Sequence, residues 1–415
     1  MILVGACATI SLVRRRSLRS RWRSYGAMAA ALLLIVKPAL ADDTPEQARQ
    51  KAVKKAQDAL IAAAKQGDAG QIRAQLQAGA DVNARDSSQR TALLHAARGG
   101  QLLAIRALIE ARPDLDAADQ DGRTALMEAA RRKEALPALE LVTAGADANL
   151  ADKEGWTALM FATKEGTLAA ARAIIRSPKQ SSLDALAKET SALGLAAERG
   201  RHALVRALIE AGAGVRKPEI GGRALQLASQ EGYVDVVRTL MEAKAPLGFS
   251  AWENELPLHA AAARGQSSVV EALLEAGLDP DQADRGGQTA LMKAAASGHD
   301  KVVASLLRLG ATPDLPDRDA WTALMHAAAH SSSGSAAAIR DLVRAGAAVN
   351  RRAGPEGKTP LMVAAEKGNE LATDELLRSG ADPSLSAGGK TALDLALAEG
   401  NKACAVRLGY VEKRR

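Results

Sequence analysis

Along most of the chain the apolar residues fall into two kinds of short block that alternate. One reads T-A-L-M-x-A-A and stands at Thr124-Ala125-Leu126-Met127, Thr157-Ala158-Leu159-Met160, Thr289-Ala290-Leu291-Met292 and Thr322-Ala323-Leu324-Met325, with close variants at Thr91-Ala92-Leu93-Leu94 and Thr359-Pro360-Leu361-Met362. It predicts a short helix whose Thr hydroxyl accepts from a free backbone N–H at the N-terminus, a role that Ser191 and Asp58 can fill in their own blocks. The other block is amphipathic. Its apolar pairs, such as Val236-Val237 with Leu240-Met241 and Val302-Val303 with Leu306-Leu307, repeat at i, i+3, i+4 and mark one buried face of a second helix. Nine residues after the cap position, between the two helices, a Gly recurs (Gly67, Gly100, Gly166, Gly200, Gly232, Gly265, Gly298, Gly368, Gly400). Gly suits the left-handed geometry that ends a helix. Gly-Ala-Asp segments at Gly79, Gly145 and Gly380 then stop the second helix and open an extended turn.

The Leu of the first block falls at Leu60, Leu93, Leu126, Leu159, Leu193, Leu225, Leu258, Leu291, Leu324, Leu361 and Leu393, so the spacing is 33 with small departures. A fixed period of this size means a stack of supersecondary units. Motif, period and Gly-Ala-Asp segment together resemble the ankyrin repeat, over about residues 57–415 and about eleven units. The resemblance implies an all-α ankyrin-repeat solenoid of helix-turn-helix units with projecting β-turns, whose turns and first-helix face form a concave surface that binds other proteins. It implies no catalysis. The chain departs from the family pattern where Met replaces the motif's usual His in five units; His259 alone keeps it. Met fills the same space with adaptable apolar volume.

The ends and irregular units refine this picture. Residues 42–57, rich in Lys, Glu, Gln and Ala, are expected to form a polar helix that caps the first unit at residue 58. Irregularities are expected near 176–190, 244–255 and 331–335. Around Pro178 a local bend in a continuous stack is the first reading and a domain boundary the second, while Ser331 to Ser335 reads as a loop that lengthens the helix connection of the ninth unit.

The net charge of +7 invites a nucleic-acid reading until one asks where it sits. Seven of the 55 Lys and Arg lie in residues 1–41, which hold no acid, and the remaining 48 bases meet 48 acids. Without a basic footprint on the body of the chain, nucleic acid is not expected as a partner. The charged segment instead precedes an apolar run from Ala27 to Val36 and then Ala39-Leu40-Ala41 before Asp42. That order reads as a secretory signal peptide over residues 1–41, and no stretch after it stays uncharged long enough to span a bilayer. The expectation is a periplasmic protein, with secretion as the alternative. Past the leader only Cys404 remains, which excludes an internal disulfide and reads as buried packing.

Aromatic residues make up only 2% of the chain, so the Trp residues stand out. Trp156 and Trp321 immediately precede the motif Thr, and Trp252 lies four residues before Leu256, all at turn positions that the resemblance implies face a partner. Bracing of a neighbouring turn is the alternative. Basic residues cluster in the first half: Arg90 and Arg123 precede motif Thr residues, and Arg98, Arg131, Arg132 and Lys164 end first helices. Beyond the fifth unit the corresponding places hold Gln230, Glu231, Ala263, Ala296 and Ser297. Such a half-groove would favour an acidic protein partner, although Arg and Lys also suit a helix C-terminus for its dipole. Asp86, Asp119, Asp152, Asp284 and Asp317 all stand five residues before the motif's first position and read as turn formers that satisfy their own backbone. His326 and His330 have metal-ligand spacing, but no third ligand and no general-base Glu accompanies them. No phosphate loop or nucleophile elbow appears. The sequence therefore reads as a non-catalytic, monomeric scaffold without cofactor; a secreted effector that binds host proteins, or a metal-dependent enzyme, are the competing classes.

Overall fold

The computed structural model describes residues 45–411 except 166, 178–181, 248–255 and 355. Within them the chain forms eleven helix pairs, each with an inner and an outer member. The inner helices are α1 (Pro45–Gln66), α3 (Ala92–Gly99), α5 (Ala125–Ala130), α7 (Ala158–Glu165), α9 (Ala192–Glu198), α11 (Arg223–Glu231), α13 (Pro257–Ala263), α15 (Ala290–Ala296), α17 (Ala323–Ala329), α19 (Pro360–Glu366) and α21 (Ala392–Ala398). Their outer partners are α2 (Ala69–Gln77), α4 (Leu102–Glu110), α6 (Leu136–Thr143), α8 (Leu168–Ile175), α10 (His202–Glu210), α12 (Val234–Glu242), α14 (Ser267–Glu275), α16 (Asp300–Arg308), α18 (Ser333–Arg344), α20 (Glu370–Arg378) and α22 (Lys402–Arg407). Each inner helix packs on the next inner helix and each outer on the next outer, from the first unit to the last. The core is the seam between the two layers. Motif leucines such as Leu126, Leu159 and Leu225 are fully buried there, beside alanines that let successive inner helices approach closely.

Most caps form as the sequence predicts, although the Thr322 hydroxyl makes no capping bond at the start of α17. Thr91, Thr124, Thr289 and Thr359 accept from the backbone N–H three residues on, and Ser191 does the same with Gly194. Gly100, with φ of 69°, ends α3 in the left-handed region; Gly166, at the same place in the fourth unit, lies outside the described residues. The motif methionines do more than fill space: the sulfurs of Met292 and Met362 accept from the backbone N–H of Thr289 and Thr359, closing capping boxes.

The structure departs from expectation in three places. No separate cap ends at residue 57, because α1 runs unbroken from Pro45 to Gln66 and carries Asp58 in its interior rather than at an N-cap. Ala, Lys and Gln dominate that stretch with neither Gly nor an internal Pro to stop it. Ser331 to Ser335 does not form a longer loop: Ser333, Gly334 and Ser335 enter α18, which Ser332 and Ser335 cap. In the sixth unit a π-helical segment, Pro218–Gly222, leads straight into α11. The helices on either side of residues 176–190 pack like those of other units. Residues 178–181, and most of the 244–255 irregularity, lie outside the described residues. No described helix is long and apolar enough to cross a membrane. Cys404 is buried, its thiol pushed up by burial, with the Thr373 hydroxyl donating to its sulfur at 3.6 Å.

Candidate concave interaction site

Between one outer helix and the next inner helix the chain projects as a turn, and one Asp organises each regular turn. Oδ1 of Asp86 accepts from the backbone N–H groups of Ser88 and Arg90, and Asp119, Asp152, Asp284 and Asp317 repeat the pattern. The carboxylate's other oxygen points toward the inner helices and takes a basic side chain. His95 approaches Asp86 at 2.8 Å, Lys293 approaches Asp284 at 3.0 Å and His326 approaches Asp317 at 2.9 Å, each from the inner helix of the same unit. Asp119 and Asp152 are served from the preceding turn, by Arg90 at 3.1 Å and Arg123 at 3.7 Å. Burial pushes Asp86, Asp119 and Asp284 up, yet these N–H donors and cations outweigh it and hold all three carboxyls below the usual range. Arg90 and Arg123 therefore tie neighbouring turns together. They rigidify the binding edge more than they offer it free charge.

One helical turn past the motif Thr, a side chain of each inner helix faces the concave side, and this is where sequence reading missed the most. In the fourth unit that residue is Phe161, buried beneath two neighbours. The Arg131 guanidinium from the end of α5 lies 5.5 Å from its ring centre, and the Trp156 indole 5.2 Å away at a tilt of 31°. The Lys164 ammonium from the end of α7 in turn sits 5.0 Å over Trp156. Two rings and two cations from adjacent units thus form one cluster, with the buried Glu128 carboxylate 3.3 Å from Arg131. Cation–π contact of this kind steadies a long side chain over a partly dry surface. The recurrence of the position at the repeat period was the signal that could have found Phe161.

Of the other sequence-selected residues, Arg98 ends α3 exposed in the place that Arg131 and Lys164 take in the next two units. Arg132 is exposed and 3.7 Å from the equally exposed Glu134, a pair that contributes little. Trp321 is half-buried against the His326 ring, 5.4 Å between centres. Trp156 and Trp321 are both braced on their own units while keeping part of each ring in solvent. Trp252 lies outside the described residues. His326 is committed to Asp317 and Trp321, and among the described residues no group of three or more His, Cys, Asp or Glu side chains could hold a metal ion.

A family model described as Ankyrin repeats (3 copies) matches residues 60–149, 133–216, 177–250, 225–317, 258–353 and 324–410, which together span the stack from the interior of α1 to its end. No curated protein matches the chain. With repeat, caps, turns and family match in agreement, the chain belongs to the ankyrin repeat family, whose repeats indicate a protein–protein interaction scaffold.

Proposed function

We propose that this protein is a non-catalytic scaffold that holds an acidic protein partner along the concave face of its second to fourth units. The observation that carries this reading is the cluster of Arg131, Phe161, Trp156 and Lys164. Arg98, Arg131 and Lys164 form a column, one cation per unit, at a spacing of about 10 Å set by helix packing. Fixed cations over rings lose little freedom when a carboxylate arrives, and the rings offer the kind of aromatic anchor that dominates interface energetics. From the fifth unit on, the same column holds Glu198, Gln230 and Ala263, so the attraction is confined to one half of the groove. Trp321, and by its place in the repeat Trp252, would extend the contact along the turns. Arg90, Arg123 and Arg132 contribute through position and steering. The Arg-rich leader and Ala39-Leu40-Ala41 support action in the periplasm, with Asp42 as the mature N-terminus.

The test is affinity capture from the cell envelope, with the bound protein identified and its affinity measured against variants. Trp156→Ala and Lys164→Glu should each weaken binding by about 1–3 kcal/mol without unfolding the protein. Arg131→Glu should mainly slow association and flatten its salt dependence, while Glu242→Ala on the exposed side of α12 should change nothing. A partner held at wild-type affinity by a folded Trp156→Ala/Lys164→Glu double variant would move the site elsewhere. N-terminal sequencing and fractionation test the compartment, and an intact leader on the mature protein would refute export.

A further inference from the structure

On the outer face, charged side chains cross from one unit to the next, most often in one register, although Arg340 of α18 meets Glu375 of α20 at 35 residues. Arg73 of α2 pairs with Glu110 of α4, Arg238 of α12 with Glu275 of α14 and, with the signs exchanged, Glu271 of α14 with Arg308 of α16. In all three pairs the partners are 37 residues apart, which is one repeat plus one helical turn. In this recurrent register the acid that would meet Arg176, at the end of α8, stands at position 139 on α6. The chain has Leu139 there, and it is 44% exposed. Leu136, three residues earlier on the same helix, is 53% exposed, and Leu103, at the equivalent place on α4, is 65% exposed. Among the described residues neither Arg172 nor Arg176 has an ion-pair partner. Where the register fails at Arg106, whose place 37 residues on is Thr143, the guanidinium finds Glu140 instead, so an unpaired outer arginine is not the rule of this face.

Leu139 and Val142 of α6 face Arg172, Ala173 and Arg176 of α8 across a trough of about 440 Å³. One wall is apolar and the other cationic. An exposed apolar patch rimmed by unneutralised charge marks an interaction surface, and a groove between two parallel helices is shaped to receive a third. We propose that the outer face of the third and fourth units is a second docking surface, which takes an acidic amphipathic helix from a partner protein. Its apolar stripe would cover Leu136 and Leu139, and its carboxylates would meet Arg172 and Arg176, supplying from outside the acid that the ladder lacks at position 139. Glu134 and Glu140, which flank the patch, are each paired with an arginine, Arg132 and Arg106, so the uncompensated charge facing the trough is that of Arg172 and Arg176, the complement of an acidic helix. This face lies on the opposite side of the stack from the concave site, so its fate does not depend on that reading.

The test uses the full mature protein and a fluorescein-labelled, side-chain-stapled helical peptide of about 14 residues, roughly four turns, with a leucine stripe flanked by glutamates. A matched peptide carries lysines instead. Anisotropy titration should show the glutamate peptide binding at least about tenfold more tightly than the lysine peptide, since each lost anchor contact is worth about that factor. Leu139→Glu and Arg176→Glu should each reduce its affinity by about the same factor, and Trp156→Ala should leave it unchanged. Leu139→Glu completes the ladder internally, so its thermal midpoint should equal or exceed wild type, which separates lost docking from lost folding. The proposal is overturned if both peptides bind equally or if Leu139→Glu still binds. It is also overturned if the patch serves only anionic vesicles or, by sedimentation, only a second copy of the chain.

Discussion

In five of the units one turn carboxylate performs three tasks at atomic scale. It closes its own turn, it receives a basic side chain from an inner helix or the preceding turn, and it thereby aims the turn at the concave groove. His95 shows the balance at this scale. Burial pushes its imidazole down, the Asp86 contact opposes this, and Lys65 and Arg90 add to the fall, so the ring is held below its ordinary value. Below about pH 6.5 the unfolded chain binds a proton that the folded chain resists, so acidification through this range costs stability. The depressed carboxyls of Asp86, Asp119 and Asp284 act in the same direction at lower pH, their contribution lost as pH falls below about 4. The expected outcome is a thermal midpoint lower at about pH 5.5 than at about pH 7.5, with part of the difference removed in His95→Gln, which keeps a donor for Asp86 but cannot titrate. An unaltered pH dependence in that variant would mean that the ring is not the group responsible.

At the scale of the element, the inner helices after α1, of only six to nine residues, survive because caps and stacking replace length. The sixth unit is entered in a different way. Arg223 stands at the motif's first position, no side chain caps α11, and the π-helical Pro218–Gly222 feeds the chain in from below, with Ile220, Gly221 and Gly222 buried. A Cβ on Gly221 would overlap the Val215 carbonyl oxygen. Gly221→Ala should therefore destabilise the protein by about 3 kcal/mol or more, as overpacking against fixed backbone does, measured by chemical denaturation; a loss under about 1 kcal/mol would mean that the segment relaxes freely. The motif Leu of this unit was legible in the sequence, but its altered entry was not, because π geometry depends on what Val215 and α9 leave room for.

For the whole molecule, a stack in which each unit touches only its neighbours makes the cost of a mutation depend on where it falls. Leu225 is fully buried between α9 and α13, whereas Leu393 in the last unit is partly exposed. Leu225→Ala should cost about 2–5 kcal/mol and loosen units on both sides. Leu393→Ala should cost less, with hydrogen exchange quickened in α21 and α22 alone. Equal protection losses along the chain in both variants would mean that the stack opens as one body. If both proposed surfaces are occupied, the third and fourth units would bridge two partners from opposite sides.

The repeat, its register, the caps at Thr91, Thr124, Thr289 and Thr359, the turn-forming Asp residues and the helix pairs can all be read from the residues, because each depends on local chemistry within one period. How the units meet is set by packing. That α1 runs through Asp58, that Ser333 to Ser335 wind into α18, that Arg90 serves Asp119 and that Arg131 lies over Phe161 are all relations between segments about 30 residues or more apart, or choices that packing makes between two locally acceptable backbones. Leu139 and Arg176 make the point most directly. Each is unremarkable in its own helix, and only the stacking of α6 on α8 makes one the missing partner of the other.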